Sequence, residues 1–342
     1  MESVNITFGF LLSIIAGSFL GTFAWPMKKI KKWQWENTWL MYSFFALILI
    51  PWIWAFLTVP NLMSVFGGTP SSVLIKVFLF GAGWGLANIG FGIGLNTLGL
   101  ALGTAIVLGL NNAIGAILPI ILFTPEELTT PTGNGIILGV AIMLVGIVFS
   151  AIAGSQKEKA LRKNEPNSVK NSQFSKGLII CIAAGLLAAM FNFALLAGKP
   201  IETLAIENGA SLLNAANPTW CISLLGGFIV TMCYCVYLFK KNQTGSLFQE
   251  KGLTKNWLYT AIMGLMWFGG VALYGSAVMN MGKLGASIGW PVIQSMAVLS
   301  GNVVGIFSGE WKGTGKKPLG IMLVGLMLLV VGISVISWAS SL

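Results

Sequence analysis

The chain has 342 residues, of which 56% are hydrophobic and only 9% are charged, and its net charge is +10. With a mean hydropathy of +0.84, a soluble protein would have to bury more apolar surface than its polar residues can cover, so a soluble fold is not expected. Histidine is absent, which removes the usual general base and the usual metal ligand. This argues against a metalloenzyme and against an enzyme that uses histidine in catalysis.

Ten apolar runs follow one another along the chain. Each has about the roughly 20 residues that a helix needs to cross the hydrocarbon core of a bilayer. They predict helices near residues 5–26, 37–57, 74–96, 101–123, 134–153, 177–198, 214–239, 257–279, 284–307 and 319–338. The sequence therefore predicts an all-α polytopic membrane protein with ten transmembrane helices.

Basic residues predict the orientation of these helices. The first run is not a cleaved signal peptide, because Glu2 precedes it and the lysines follow it. Of the 20 basic residues, 17 lie in four segments, 27–36, 154–176, 240–256 and 308–318. Since short basic loops stay in the cytoplasm, these segments are predicted to be cytoplasmic and both termini external. The positive charge then indicates membrane lipids as partners and gives no support to nucleic-acid binding.

The second half of the chain repeats the first. An offset of 183 residues aligns Trp84 with Trp267 and Asn111 with Gln294, and the string IMLVG occurs at 142–146 and at 321–325. We therefore predict two five-helix repeats, residues 1–153 and 177–342, joined by a polar cytoplasmic linker, residues 154–176. Because five is odd, the repeats must be inverted relative to each other. Inverted repeats are typical of secondary transporters that work by alternating access.

Polar and aromatic side chains within the apolar runs predict a substrate site. Amides both donate and accept hydrogen bonds, which suits the hydroxyl groups of a sugar, and indole faces suit the C–H side of its ring. The alternative is that these amides only join helices to one another. The predicted site lies between the third, fourth, eighth and ninth helices. Its residues are Trp84, Asn88, Asn111, Asn112, Trp267, Trp290 and Gln294.

The acidic residues leave the coupling ion open. All ten are glutamates, and the sequence places them in loops or at helix ends. Coupling by H⁺ needs a group that can take up and release a proton, and Lys199, Glu202 and Glu207 are the candidates if they fold inward. Coupling by Na⁺ needs only neutral oxygens. No cofactor, metal site or obligate protein partner is predicted.

Several segments carry a family resemblance. They are residues 23–55, residues 77–103, the AGKP at 197–200 and the GEWKGTGKKP at 309–318, and the KKIKKWQWE pattern at 28–36 is specific. In these segments, and in order along its whole length, the chain resembles the L-rhamnose/proton symporter family, RhaT, of the drug/metabolite transporter superfamily. The resemblance implies ten helices, residence in the bacterial inner membrane and import of a deoxyhexose driven by the proton gradient.

Three classes of function follow from these features. The first is an importer of a small neutral sugar such as L-rhamnose, which works by alternating access with H⁺ or Na⁺ coupling. The second is an exporter or exchanger of small amphiphilic metabolites, as in other branches of the same superfamily. The third is a membrane sensor or scaffold that transports nothing.

Overall fold

The computed structural model describes residues 5–98, 100–161, 171–250, 253–309 and 311–341. Within these ranges the chain is helical and contains no β-strand. Nine stretches of the described residues are long and apolar enough to cross a membrane. They are Ile6–Lys29, Trp35–Thr58, Ser71–Gly94, Gly103–Phe123, Pro131–Lys157, Ser175–Glu207, Asn217–Asn242, Thr254–Phe307 and Lys316–Ala339. The predicted all-helical, multi-pass membrane protein is therefore confirmed.

Every predicted span contains at least one helix. The first half of the chain forms α1 (Ile6–Thr22), α2 (Trp35–Ser43), α3 (Ile50–Thr58), α4 (Leu62–Gly68), α5 (Ser71–Leu98), α6 (Leu100–Phe123) and α7 (Pro131–Leu161). The second half forms α8 (Asn171–Ala188), α9 (Met190–Ala197), α10 (Lys199–Glu207), α11 (Asn217–Asn242), α12 (Thr254–Met281), α13 (Gly285–Phe307) and α14 (Lys316–Ala339).

The structure adds three features to the predicted helices. The stretch Thr254–Phe307 holds two helices, α12 and α13, which a short 3₁₀ turn at Gly282–Leu284 separates. Two short helices, α4 and α10, occupy segments that were predicted as loops. Both α7 and α8 also extend into the predicted linker 154–176, and residues 162–170 of that linker lie outside the described residues.

The second membrane-spanning stretch contains a π-helical turn. Residues Phe44–Leu49 form this turn between α2 and α3, and the Ile50 N–H donates to the carbonyl of Phe45, five residues earlier. Pro51 follows at the start of α3. Because proline has no N–H, it cannot continue the regular ladder of helical hydrogen bonds, and the wider turn accommodates this gap.

The chain forms two compact units. The first unit consists of Met1–Leu86 and Met190–Gly282, and the second unit consists of Ala87–Ala189 and Lys283–Leu342. The boundaries fall inside α5, between α8 and α9, and in the 3₁₀ turn between α12 and α13. Each unit thus combines segments of both predicted repeats, so the compact units do not coincide with residues 1–153 and 177–342.

In the first unit, α5 and α11 cross with their backbones nearly in contact. A β-carbon added at Gly81 would lie 1.8 Å from the backbone oxygen of Ser223, and one added at Gly226 would lie 2.2 Å from that of Phe78. Without a hydrophobic effect between helices in lipid, such close approach through small residues is a main source of helix association. This crossing fixes α5 and α11 against each other.

In the second unit, α7 and α14 cross through paired glycines. A β-carbon added at Gly146 would lie 2.9 Å from the backbone oxygen of Gly325, and one added at Gly139 would lie 3.0 Å from that of Gly332. Residue numbers rise along one helix as they fall along the other, so the two helices are antiparallel. Gly146 and Gly325 end the two copies of the string IMLVG, and these identical strings therefore pack against each other.

The KKIKKWQWE segment joins two connections of the first unit. Glu36 is buried, and its Oε1 accepts hydrogen bonds from Thr244 Oγ1 at 2.7 Å and Asn242 Nδ2 at 3.0 Å. Trp33 Nε1 donates to the backbone oxygen of Leu247 at 3.2 Å. The segment that carries the family resemblance thus ties the α1–α2 connection to the α11–α12 connection.

Candidate functional site

The predicted site residues divide between the two units. Trp84 and Trp267 belong to the first unit, together with the predicted coupling residues Lys199, Glu202 and Glu207. The remaining predicted residues belong to the second unit. They are Asn88, Asn111, Asn112, Trp290 and Gln294.

Five aromatic residues of the first unit form what we call the aromatic cluster: Trp84, Phe191, Trp220, Trp267 and Tyr274. Ring centroids are 5.5 Å apart for Trp84 and Trp267, 5.0 Å for Trp84 and Phe191, 4.8 Å for Phe191 and Trp220, and 6.2 Å for Trp220 and Tyr274. The two tryptophans that align at the repeat offset therefore contact each other. Four of the five rings are buried, and only Trp84 is half-buried, so the rings pack mainly against one another.

Polar atoms accompany these rings. The Tyr274 hydroxyl donates a hydrogen bond to Asn192 Oδ1. Trp220 Nε1 is buried and has no hydrogen-bond partner among the described residues. A β-carbon at Gly275 would lie 2.6 Å from this nitrogen, so the absence of a side chain at Gly275 leaves the indole N–H its space. The aromatic cluster thus combines ring faces with a donor that the described protein atoms leave unused.

Helix α10 carries the three predicted coupling residues, and only one of them is deeply buried. Glu202 is 1% exposed. Lys199 Nζ lies 3.3 Å from Glu202 Oε2 and 3.6 Å from Met279 Sδ, and about half of the lysine side chain is exposed. Neither carboxylate oxygen of Glu202 has a geometrically sound hydrogen bond within the described part of the chain. Glu207 is exposed.

Glu202 lies in the first turn of α10, at a helix end as the sequence predicts, and the structure adds that it is buried. The segment 199–207 forms a helix inside the apolar stretch Ser175–Glu207. Ile201 and Ala205 face the interior with Glu202. A buried carboxylate is costly unless it is paired or protonated.

Several buried polar groups of the second unit have no hydrogen-bond partner among the described residues. Asn111 is 5% exposed, and Asn112 and Ser295 are fully buried. Asn111 Oδ1, both amide atoms of Asn112 and Ser295 Oγ make no hydrogen bond to any described residue. We call Asn111, Asn112 and Ser295 the unpaired polar set. An unsatisfied buried polar group costs about 1–3 kcal/mol, so these residues of α6 and α13 are polar positions that packing within the described structure does not explain.

The other predicted residues of the second unit behave differently. Trp290 Nε1 donates to the backbone oxygen of Asn111 at 3.1 Å, and a β-carbon at Gly115 would lie only 2.2 Å from this nitrogen. Trp290 therefore joins α13 to α6 through its N–H. Gln294 is half-buried and Asn88 is exposed, so Asn88 lies outside the buried polar surface that the sequence analysis expected.

Sequence reasoning did not select four residues of the first unit. Phe191, Trp220 and Tyr274 complete the aromatic cluster, and Asn192 accepts the hydrogen bond of Tyr274. Tyr274 could have been found, since a tyrosine inside an apolar run needs a partner for its hydroxyl. Phe191 and Trp220 resemble ordinary packing residues in the sequence and carry no such signal.

Comparison with known proteins gives the family. Residues 2–340 match the family model described as L-rhamnose-proton symport protein (RhaT). The chain belongs to this family. It is 30% identical over 339 residues to the L-rhamnose-proton symporter of Mannheimia succiniciproducens, and 29% identical over 340 residues to that of Yersinia pestis.

Both alignments cover 97% of this chain and 97% of the relative. The similarity to RhaT proteins therefore includes both units and all described helices. As a member of the RhaT family, the protein is a membrane transporter and not an enzyme.

Proposed function

We propose that the protein imports L-rhamnose, or a closely similar neutral deoxyhexose, together with protons by alternating access. The single observation that carries the proton part of this proposal is the buried carboxylate of Glu202 beside Lys199. The names of the relatives, L-rhamnose-proton symporter, support the sugar and the ion.

Glu202 has the properties of a proton carrier. When it is ionised, its charge is compensated by Lys199 at 3.3 Å. When Glu202 is protonated, its carboxyl group is neutral, so its burial no longer depends on Lys199. The half-exposed lysine side chain can then turn toward solvent. Two states of similar free energy are what a coupling group requires.

The surroundings of Glu202 favour H⁺ over Na⁺. A sodium ion needs several oxygen ligands, whereas the Glu202 carboxylate has the Lys199 ammonium as a neighbour at 3.3 Å. A second cation at this position would be repelled by the ammonium group. The sequence left both H⁺ and Na⁺ open as coupling ions, and the position of Lys199 beside Glu202 supports H⁺.

We propose that the unpaired polar set of the second unit recognises the sugar. Its amide and hydroxyl groups supply donors and acceptors for the sugar hydroxyl groups, because each of them can take part in hydrogen bonds that the described protein atoms leave unmade.

We infer ten membrane crossings, although nine stretches are found. Helices α7 and α14 are antiparallel, so their positions in the order of crossings must differ by an odd number. If the stretch Thr254–Phe307 crossed once, α7 would be the fifth crossing and α14 the ninth, and they would be parallel. Two crossings by α12 and α13 make α14 the tenth, as antiparallel packing requires. Equivalent helices that run in opposite directions also support inverted repeats.

We also propose residence in the bacterial inner membrane with both termini external. The support is the division of basic residues, 17 of which lie in the four segments that would face the cytoplasm. A cysteine introduced at position 165, in a chain whose own four cysteines are replaced, should react with an impermeant reagent only after the membrane is opened. Reaction in intact cells would reverse the proposed orientation.

Transport by purified protein in lipid vesicles tests the proposed function. Uptake of labelled L-rhamnose is measured under an inward proton gradient, an inward Na⁺ gradient and no gradient. We expect accumulation above equilibrium only under the proton gradient. Accumulation under the Na⁺ gradient alone would contradict the role of Glu202. Absence of rhamnose transport together with efflux of an amphiphilic metabolite would support the exporter class instead.

Replacing Asn112 by alanine should separate binding from stability. Its two amide atoms have no hydrogen bond in the described structure that could be lost, so the melting temperature should stay the same or rise. Affinity for L-rhamnose should fall about 5- to 100-fold, since leaving a buried sugar hydroxyl without its hydrogen-bond partner costs about 1–3 kcal/mol. Binding is measured by titration calorimetry and stability by thermal unfolding in detergent.

Asn256 provides a matched control for this experiment. Its amide accepts from the Lys31 N–H at 3.2 Å and donates to the Lys31 carbonyl at 2.8 Å. Asn256→Ala should therefore lower the melting temperature and leave sugar affinity unchanged. If Asn112→Ala behaved in the same way, the unpaired polar set would be structural.

A further inference from the structure

The second unit contains a large cavity beside the helices that carry the unpaired polar set. It has a volume of about 590 Å³ and lies among α6, α7, α13 and α14, which is within the range of small-molecule sites. The ring of Trp311 lines it, and so do four polar side chains: Thr104, Ser150, Lys157 and Asn302. Three of these four side chains are uncharged.

The cavity lies on the same helix faces as the unpaired polar set. On α6, the lining residue Leu108 precedes Asn111 by three residues, and on α13 the lining residue Val298 follows Ser295 by three residues. Residues three apart share a face of a helix, about 4.5 Å from each other along its axis. One end of the cavity is therefore about one helical turn from the unpaired polar set on both helices.

The other end of the cavity lies at the basic segments of the second unit. Lys157 is the last residue of the membrane-spanning stretch Pro131–Lys157, and Trp311 belongs to the basic segment 308–318. Lys157 Nζ lies 4.9 Å from the centre of the Trp311 ring, so the two side chains lie together at this end. With the basic segments in the cytoplasm, as their charge indicates, the cavity extends from the cytoplasmic surface toward the unpaired polar set.

Exposure falls along the cavity toward this set. Thr104 and Asn302 are half-buried, whereas Asn111 is 5% exposed and Ser295 is fully buried. On the far side of the set, the Trp290 N–H donates to the backbone oxygen of Asn111 at 3.1 Å. The cavity therefore approaches the set from the cytoplasmic end, and Trp290 covers the set from the opposite end.

Ser150 gives the cavity a buried polar group that packing does not explain. Its side chain is 8% exposed, and its hydroxyl oxygen has no hydrogen-bond partner among the residues that the structure describes. A β-carbon at Gly325 would lie 2.7 Å from this oxygen, so the absence of a side chain at Gly325 leaves the hydroxyl its space. A buried hydroxyl without a partner indicates a group that a ligand would bring.

We propose that this cavity is a cytoplasmic sugar vestibule, a second sugar site that the substrate occupies between the unpaired polar set and the cytoplasm. The inference rests on the proposed function. The hydroxyls of Thr104 and Ser150 and the amide of Asn302 bind sugar hydroxyl groups, since each of these side chains both donates and accepts hydrogen bonds. Asn302 Nδ2 donates to the backbone oxygen of Val298 at 2.8 Å, and its amide has a further N–H and an acceptor oxygen.

Cysteine labelling tests whether the cavity opens to the cytoplasm and holds sugar. Ser150→Cys is made in a chain whose own four cysteines are replaced, and its reaction with an impermeant thiol reagent is measured in inside-out vesicles without an ion gradient. We expect reaction, and we expect L-rhamnose to slow it. Val148→Cys is the matched control, because Val148 lies on the same helix, is 41% exposed within a membrane-spanning stretch and does not line the cavity. It should not react.

Three results of this labelling would overturn the vestibule. The first is no reaction of Ser150→Cys in inside-out vesicles, or reaction only in right-side-out vesicles. The second is a rate that L-rhamnose leaves unchanged. The third is slowing by added dioleoyl phosphatidylglycerol and not by L-rhamnose, which would show a lipid site.

Sugar affinity measured from the two sides of the membrane tests the role of Ser150. Ser150→Ala removes no hydrogen bond that the described protein makes, so its melting temperature should not fall. It should raise the half-saturating concentration of L-rhamnose for exchange from the cytoplasmic side about 2- to 10-fold, the usual effect of one hydrogen bond. The value from the external side should not change, and Val148→Ala should change neither. An equal change on both sides would place Ser150 in the central site, and either this or no change on either side would overturn the vestibule.

The vestibule and the proposed function fail in different ways. If the protein accumulates L-rhamnose under a proton gradient while L-rhamnose does not slow the labelling of Ser150→Cys, the vestibule is wrong and the proposed function stands. If the protein moves no L-rhamnose in either direction, the proposed function is wrong and the vestibule falls with it.

Discussion

Replacing Glu202 by glutamine should abolish the accumulation of L-rhamnose under a proton gradient. Glutamine keeps the size of the side chain and its burial, but it cannot release or take up a proton. It also leaves Lys199 without the carboxylate that lies 3.3 Å away. The gradient would then have no group through which to act, so uptake in vesicles should level off at the external sugar concentration.

An exchange assay distinguishes a variant that has lost proton coupling from one that no longer folds. Glu202→Gln should still exchange labelled for unlabelled L-rhamnose across the membrane, because exchange needs the sugar site and no net proton movement. Glu207→Gln is the control from the same helix, and its exposed side chain should make it behave as the original protein. Gradient-driven accumulation by Glu202→Gln at the original level would remove Glu202 from the mechanism.

The second large effect is expected at Gly81. A β-carbon at this position would lie 1.8 Å from the backbone oxygen of Ser223, far inside the distance that real atoms reach. Gly81→Ala must therefore push α5 away from α11. Overpacking of this kind usually costs about 1–3 kcal/mol and sometimes more. We expect a clearly lower melting temperature and a reduced yield of folded protein.

Gly92 offers a control in the same helix. A β-carbon there would meet no described atom within 4 Å. Because alanine is the better helix former by about 1 kcal/mol, Gly92→Ala should leave the melting temperature unchanged or raise it. If Gly81→Ala were as stable as Gly92→Ala, the close crossing of α5 and α11 would be wrong.

The sequence predicts the helices of this protein better than it predicts its site. Runs of about 20 apolar residues can do little other than span a bilayer, which is why every predicted span contains a helix. The boundary between α12 and α13 is also recovered, since Gly282 and Lys283 interrupt the apolar pattern. The helix α10 was missed because the short apolar pattern after Pro200 also suits a loop.

Burial of individual side chains depends on tertiary packing that one sequence does not specify. Glu202 follows Lys199 and Pro200, which suggests a helix end at the membrane surface, yet α10 packs its face into the first unit. Asn88 and Asn111 look alike in the sequence, but Asn88 is exposed and Asn111 is buried. The contact between Trp84 and Trp267 could have been predicted from the sequence, because the repeat offset relates the two residues.

The partition of the chain into units has a consequence for how the protein is made. Gly146 on α7 has its partner Gly325 on α14, and a ribosome that adds about 5–20 residues per second needs roughly 10–40 s to make the roughly 180 residues between them. Neither unit can close before the second half of the chain is inserted. During that time the glycine face of α7 is exposed and can pack against other nascent helices. We therefore expect folding in the cell to depend on the insertion machinery keeping the first five membrane-spanning stretches together.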